Sequence, residues 1–305
     1  MRLTIFRPSS REITELLPPA LQQLQAAGFQ VEYRDVAPNK DWLYSAGTAK
    51  DRAQVLNELL LSEDSDIVVA ARGGYGASDL LPYLAWESLR RTAPKWVSGF
   101  SDVSALHSAL YTKLGWRGVH GPMPATQLWG TGPDVSQLLD LWRHLIQRQS
   151  YQGSLALTPI GEEHPAELSG ELFGGCFSVL TNLIGTPYIP KSLTGKILFF
   201  EDIGEHPGRL IRAWNQWLQS GLTEGVRAVV MGHLKDLGPK IPDHADFVYQ
   251  EFARRCDLPV YQCLSIGHTT PNYPLVVGAM ATIKASHLEW QLPFVPSSEE
   301  LSEAT

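Results

Sequence analysis

The stretch SGFSDVSAL, residues 98–106, changes from a strand pattern to a helix pattern within a few positions. An apolar run at residues 96–97 precedes it, which is typical of a buried strand. Residues 103–110 then carry apolar side chains at helical spacing. The sequence therefore predicts a sharp strand-to-helix junction, with Ser101 and Asp102 at the turn.

Strand and helix patterns alternate on both sides of this junction. Predicted strands in the first half are residues 2–6, 29–33, 66–72, 95–100 and 116–123, and helical patterns cover residues 18–28 and 48–61. Strands separated by helices of about 10 to 15 residues are typical of βαβ units and a mostly parallel sheet. In such sheets, ligands bind beyond the carboxyl ends of the strands.

The regular alternation stops between residues 148 and 170, where the chain becomes polar and rich in glycine and proline. We place the domain boundary there, which divides the chain into residues 1–160 and 161–305. The second half combines both element types. It has strand patterns at residues 195–204, 226–232 and 258–264, an amphipathic helix at 207–221, and an alternation at 275–292 that predicts a β-hairpin.

The composition is that of an ordinary globular protein, with 44% hydrophobic and 19% charged residues over 305 positions. The net charge is -7 and the basic residues form no cluster, so we expect neither a nucleic-acid nor a membrane partner. The apolar run in the N-terminal segment MRLTIFRP, about four residues, is too short for the apolar region of a signal segment. The 3 cysteines show no metal-ligand spacing, which favours a reducing cytoplasm and no metal site.

Two segments could present a reactive group near the junction. Ser101 resembles the serine of a nucleophile elbow, but Val103 replaces its second glycine, and taken alone the junction favours a helix cap. The glycine-rich segment 71–78 follows a buried strand. It predicts either a tight turn or a cradle whose free N–H groups bind an oxyanion or a carboxylate.

Acidic residues and histidines follow other strands. Glu201, Asp202 and Glu205 come at the end of a strand that should be buried, where a carboxylate is costly unless it is paired or used. Asp202 and Glu205 could instead cap the helix that begins near Pro207. Residues His120, His233 and His268 each follow a strand, and local reasoning does not choose a catalytic base among them.

Read together, several segments resemble the serine LD-carboxypeptidases, a muropeptide-recycling family to which the microcin-C immunity peptidases are related. The matching stretches run in order between residues 66 and 283: ARGGYGASDLL, GFSDVSALH, HGPM, LFGG, LIGTPYIPK, FFEDIGEHPGR, MGHLKD and IGHTTPNYPLVVGA. The resemblance implies an α/β fold. Its N-terminal domain has a Rossmann-like or flavodoxin-like parallel sheet, and a smaller, β-rich α/β domain follows.

The resemblance also implies a Ser–Glu–His triad, which falls on Ser101, Glu201 and His268. Backbone amides of Asp102 and Gly74 would form the oxyanion hole. The site would lie between the two halves of the chain and need no cofactor. Where the family usually has asparagine in a G-G-N-L segment, this chain has Cys176, which affects local contacts or pocket shape rather than the triad.

We therefore expect a cytoplasmic enzyme that releases terminal D-alanine from murein tetrapeptides. Its small peptide substrate would be bound by Glu205 through an ammonium group and by Arg72 or Arg209 through a carboxylate. Two alternatives remain: a peptidase of the microcin-C immunity type that acts on a peptide-nucleotide or acyl-sulfamoyl adenylate, and a non-catalytic two-domain ligand binder. The sequence leaves open whether the chain forms a homodimer.

Overall fold

The computed structural model describes residues 1–11, 15–36, 45–161, 164–238 and 244–294, and its strands form two sheets. The strands are β1 (Arg2–Phe6), β2 (Gln30–Arg34), β3 (Ile67–Ala70), β4 (Trp96–Gly99), β5 (Gly118–His120), β6 (Tyr151–Ala156), β7 (Thr158–Ile160), β8 (Glu167–Cys176), β9 (Lys196–Ile203), β10 (Ala228–Lys235), β11 (Val260–Gln262), β12 (Leu275–Val277), β13 (Met280–Lys284) and β14 (His287–Leu292). The helices are α1 (Leu17–Ala26), α2 (Ala49–Leu61), α3 (Ala77–Leu80), α4 (Trp86–Leu89), α5 (Ser104–Leu114), α6 (Pro133–Ile146), α7 (Phe177–Thr181), α8 (Pro207–Gln219) and α9 (His244–Arg254).

The first sheet has the strand order β2-β1-β3-β4-β5-β12, and its pairs are parallel except for β5 with β12. The order from β2 to β5 is that of flavodoxin-like folds. All four residues of β3 are buried, as expected for a strand covered on both faces. The predicted parallel α/β sheet is confirmed, and its carboxyl edge carries the turn at Ser101.

The second sheet has the order β6-β14-β13-β8-β9-β10-β11-β7. Its centre, from β8 to β11, is parallel, and the outer strands are antiparallel. Helices α8 and α9 cover one side, where the rings of Trp214 and Phe252 stack with centroids 4.8 Å apart. None of the helices in the described ranges has the length and apolarity that a membrane crossing requires.

The structure differs from the sequence prediction in two places. The polar stretch at 148–170 contains strands β6 and β7 and the start of β8, all of them in the second sheet. The predicted hairpin at 275–292 consists of β13 and β14 only, because β12 pairs with β5 in the first sheet. The division at residue 160 stays a prediction, and strands on both sides of it contribute to the second sheet.

Candidate active site

Ser101 stands at the carboxyl end of β4 in a strained conformation. Its φ is 61°, in the left-handed region that residues other than glycine rarely adopt. A short 3₁₀ turn, Ser101–Val103, leads from it directly into α5. Gly99 lets the turn fold back closely on β4, since a Cβ there would lie 3.1 Å from Cγ2 of Val103. The local backbone is that of an elbow that presents the Ser101 hydroxyl above the sheet.

His268 lies between Ser101 and Glu201. Its Nε2 is 3.1 Å from Oγ of Ser101, and its Nδ1 is 2.6 Å from Oε2 of Glu201. Glu201 is 0% exposed at the end of β9, whereas His268 is in the loop between β11 and β12. A serine hydroxyl, an imidazole and a buried carboxylate thus form a continuous line, the arrangement that activates a nucleophile.

The approach of His268 to Glu201 depends on its own loop. Gly267 has φ +105°, and a Cβ there would lie 2.5 Å from Cβ of Glu201. Its backbone N–H donates to Oδ1 of the buried Asn272 at 2.8 Å, and the N–H of Asn272 donates to Asp134 at 2.8 Å. Sequence reasoning missed Asn272 and Asp134 as anchors of this loop, although Asn272 is in the quoted segment IGHTTPNYPL.

The charges of the pair stabilise each other. Burial disfavours the ionised carboxylate of Glu201, but the charge and hydrogen bonds of His268 and the charge of His120 together outweigh burial, so the pKa of Glu201 falls below its usual value. Burial likewise disfavours the imidazolium, yet Glu201 raises the pKa of His268 above its usual value. Glu201 is therefore ionised at neutral pH and can support a protonated His268.

The two other candidate histidines have different surroundings. His120 is fully buried, and burial lowers its pKa to about 4. Neither of its nitrogens has a hydrogen-bond partner among the described residues. The backbone N–H of His233 donates to the carbonyl of Ile266 at 2.9 Å, and burial lowers the pKa of its imidazole. The structure brings His268, rather than either of these, to Ser101.

Asp202 points away from the imidazole, as adjacent residues of a strand must. Its carboxylate accepts hydrogen bonds from the backbone N–H of Ser178 at 2.8 Å, from the hydroxyl of Ser178 at 3.1 Å and from the N–H of Ile203 at 2.8 Å. It therefore caps the start of α7, not the helix at Pro207. Burial and the neighbouring Glu201 raise the pKa of Asp202 to about 7.

The turn that follows β3 lies against Ser101 through Gly73. A Cβ on Gly73 would lie 3.0 Å from Cβ of Ser101 and 3.3 Å from the backbone nitrogen of Asp102. Gly74 packs instead on Ser10, and the buried side chain of Asp102 accepts from the N–H of Ala77 at 2.8 Å. The oxyanion role of Asp102 and Gly74 remains a prediction, and Gly73 is a neighbour of the serine that the sequence did not single out.

The three residues expected to bind substrate, Arg72, Glu205 and Arg209, contact other groups of the protein. Arg209, whose side chain is 74% exposed, has its Nη1 3.6 Å from Oε2 of Glu205. The guanidinium of Arg72 donates to the carbonyl of Arg11 at 3.0 Å. None of the three forms a hydrogen bond with Ser101 or His268 in the described part of the chain, so their roles stay predictions.

Cys176 lies beside the acidic pair, in register with Glu201 on the neighbouring strand. Its thiol is 3.6 Å from Oδ1 of Asp202, and its N–H donates to the hydroxyl of Ser104 at 2.8 Å. Burial and the nearby carboxylates raise the pKa of the thiol, which keeps it protonated. Across the described ranges, no group of three or more His, Cys, Asp or Glu side chains is placed to hold a metal ion.

Comparisons with known proteins identify both halves of the chain. Residues 4–121 match the profile of the LD-carboxypeptidase N-terminal domain, and residues 169–283 match that of the C-terminal domain. The murein tetrapeptide carboxypeptidase of Pseudomonas aeruginosa is 31% identical, over 95% of this chain and 95% of the relative.

Solved structures give the same fold. A muramoyltetrapeptide carboxypeptidase from Oxalobacter formigenes is 25% identical and superposes with a TM-score of 0.80, over 97% of this chain and 100% of the other. The protein MccF in complex with glutamyl sulfamoyl guanosine is 22% identical with a TM-score of 0.80, over 97% of each chain. At that level of identity, the second likeness concerns the fold alone.

Proposed function

The chain belongs to the LD-carboxypeptidase family of carboxypeptidase hydrolases, and we propose that its substrate is a murein tetrapeptide. The bond cleaved would join the L-centre of meso-diaminopimelate to the terminal D-alanine. The observation that carries this proposal is the line from Ser101 through His268 to Glu201, with separations of 3.1 and 2.6 Å. The identity of 31% to a murein tetrapeptide carboxypeptidase supports the choice of substrate.

In the proposed reaction, Oγ of Ser101 attacks the carbonyl carbon of the scissile bond while His268 takes the hydroxyl proton. Glu201 keeps the imidazole in the required tautomer and stabilises the imidazolium. Backbone N–H groups of Asp102 and Gly74 would stabilise the oxyanion. His268 then returns the proton to the amine of the departing D-alanine, and a water molecule hydrolyses the acyl-enzyme to regenerate Ser101.

Substrate binding would use charges near the strand ends. Glu205 pairs with Arg209 in the structure, and we propose that the ammonium group of diaminopimelate replaces the exposed guanidinium as the partner of Glu205. Arg209, once released, and Arg72 are the proposed donors to substrate carboxylates. A role in peptidoglycan recycling in the cytoplasm fits the cysteines, since Cys176, Cys256 and Cys263 are all unpaired thiols.

Turnover of a defined murein tetrapeptide tests the proposal, with release of D-alanine as the readout. Ser101→Ala should reduce kcat by several orders of magnitude, because only binding and the oxyanion hole remain, worth about 10³- to 10⁴-fold over water. Ser154→Ala, an exposed serine of β6, is the matched control and should keep full activity. A folded Ser101→Ala protein with near-native turnover would contradict the assignment.

The same assay separates the alternatives. An acyl-sulfamoyl adenylate, offered in parallel, would be the better substrate if the chain acts like a microcin-C immunity peptidase. A serine-directed organophosphorus reagent should label Ser101 in an enzyme. Absence of labelling, together with absence of turnover on both substrates, would indicate a ligand binder.

A further inference from the structure

His120 is a buried titratable residue for which the proposed reaction has no use. It ends β5 and is 0% exposed, and neither Nδ1 nor Nε2 has a hydrogen-bond partner in the described ranges. Oε1 of Glu201, the oxygen that is not hydrogen-bonded to Nδ1 of His268, is likewise buried and without a hydrogen-bond partner there. Buried nitrogen and oxygen atoms are rarely left without hydrogen bonds in native proteins.

The ring contacts of His120 place it beside the chain neighbours of Ser101 and Glu201. The ring of His120 packs edge-on against the rings of Phe100 and Phe199. The distances between ring centroids are 5.8 Å to Phe100 and 5.3 Å to Phe199. Phe100 directly precedes Ser101 and also contacts the ring of His268 at 4.8 Å. Phe199 is two residues before Glu201, so both side chains leave β9 on the same face. His120 therefore lies on the face of β9 that carries Glu201, close enough for the two groups to interact electrostatically.

The imidazole of His120 is neutral in these surroundings. Burial lowers its pKa to about 4; the Glu201 carboxylate raises the pKa and His268 lowers it, both by less than burial does. Among the described residues, His107 of α5 also interacts with His120. Nε2 of His107 lies 3.1 Å from the carbonyl of Val97, and burial lowers the pKa of His107 to about 3. A neutral imidazole offers one N–H donor and one acceptor, so it can complete a hydrogen bond to a carboxylate.

We propose that His120 is a positioning residue, whose imidazole holds Oε1 of Glu201 through one buried water so that Oε2 stays directed at His268. Buried waters typically make about three hydrogen bonds to polar groups of this kind. Both oxygens of the carboxylate would then be held by hydrogen bonds. This would also fix the tautomer and the orientation of His268. The inference rests on the proposed Ser–Glu–His mechanism.

A crystal structure of the unaltered chain gives the first test and needs no substrate. The expected result is an ordered water within about 3 Å of both Oε1 of Glu201 and one ring nitrogen of His120. A direct hydrogen bond between the two side chains would support the same role. If Oε1 contacts neither His120 nor such a water, the proposal is wrong.

Kinetics of His120 variants give the second test. His120→Phe keeps the ring packing but removes the hydrogen bond, and kcat should fall about 10- to 100-fold, the range found when the outer partners of metal ligands are removed. KM should not change. The acid limb of the kcat/KM profile should move to higher pH, because a carboxylate that has lost one donor attracts the imidazolium proton of His268 more strongly.

Rescue and control variants separate positioning from packing. His120→Asn and His120→Gln put an amide near the place of Nδ1 or Nε2, and one of them should recover most of kcat. His107→Asn changes another buried histidine, and it should lower Tm without moving the acid limb. Native kcat and an unmoved limb in a folded His120→Phe protein would overturn the proposal, as would equal loss in all three His120 variants. If His120→Phe does not fold, the amide variants and the crystal structure decide.

Failure of the proposed function gives a different result. If the unaltered chain turns over no murein tetrapeptide, the substrate assignment fails, and the position of the water still tests His120.

Discussion

At the scale of single residues, Glu201 holds a charge in a fully buried place because His268 lies 2.6 Å from it. Glu201→Gln should lower kcat by up to about 10⁴-fold with little change in KM, since it disturbs the base and not the substrate pocket. Steady-state kinetics on one murein tetrapeptide measure both constants. Asp202→Asn is the matched control, and it should retain catalysis. If Asp202→Asn abolishes turnover and Glu201→Gln does not, the two roles must be exchanged.

The pH profile of the unaltered chain provides a separate prediction. Burial lowers the pKa of His268, but the charge and hydrogen bond of Glu201 and the charge of Asp202 together outweigh burial, so the net shift is upward from the usual value of 6.5. In the proposed mechanism His268 can act as the base only when it is neutral, above this raised pKa, which places the acid limb of kcat/KM above about 6.5. Glu201→Gln removes the charge, so any residual activity should have its acid limb at lower pH. An unmoved limb would show that another group titrates there.

Local sequence reasoning reached these residues only partly. The turn at Ser101 could be predicted, because the strand and helix patterns meet there. Nothing local distinguished His268 from His120 and His233, since the sequence pattern predicts that all three follow strands. In the structure only His268 does so, because His120 is the last residue of β5 and His233 lies within β10. The choice depends on contacts between residues 101, 201 and 268, which no local pattern contains, and the resemblance to a family supplied it.

At the scale of elements, the loop that carries His268 requires a glycine at its closest approach to β9. Gly267→Ala places a side chain on a residue whose φ is +105°, which alanine rarely adopts. The added Cβ would also lie 2.5 Å from Cβ of Glu201. We expect a loss of stability of about 1–3 kcal/mol and a large loss of kcat as the loop shifts. Thermal melts and kinetics measure the two effects.

Gly28→Ala controls for backbone strain alone. Gly28 has φ +90°, and a Cβ added to it would meet no atom within 4 Å, so this variant should lose stability and keep its activity. Equal activity in the two glycine variants would show that the approach of Gly267 to Glu201 is not needed for catalysis.

Asp202 links the end of β9 to the start of α7 through hydrogen bonds. We expect its protonation to make the thermal stability of the chain depend on pH. Its pKa is about 7 in the folded chain against 3.8 ordinarily, because burial and Glu201 disfavour the charge. The folded state therefore binds the Asp202 proton more tightly than the unfolded state does. The resulting contribution to the free energy of unfolding is complete below about pH 4 and is lost as the pH rises towards 7. Melts between pH 4 and 8 should show a flatter profile for Asp202→Asn than for the native chain. Asp236→Asn, an exposed control, should keep the native slope.

Some elements could not be predicted from the sequence for identifiable reasons. Strand β8 contains Gly170 and Gly174, which weaken a strand pattern. The structure needs both, since a Cβ on Gly174 would overlap the carbonyl of Phe199 and one on Gly170 would lie 2.4 Å from the carbonyl of Gly195. Strand β12 has an ordinary strand pattern, but its partner β5 is far away along the chain.

At the scale of the whole molecule, the two sheets should unfold together. Strand β12 belongs to the first sheet and β13, which begins only a few residues later, belongs to the second. In urea, the loss of activity should therefore coincide with the change in tryptophan fluorescence, which reports on Trp142 in the first half and Trp214 in the second. Two separate transitions would show that the sheets are independently stable.

The exchange of strands between sheets also limits how such a protein can be recombined. A chimera that joins the first half of one family member to the second half of another brings in a foreign β12, and that strand must pair with the host's β5. Such a chimera also takes Ser101 from one family member and His268 from the other. We therefore expect a functional chimera only when residues 275–277 and β5 come from the same parent. The parts of the chain that must be exchanged as one unit are thus not contiguous in the gene.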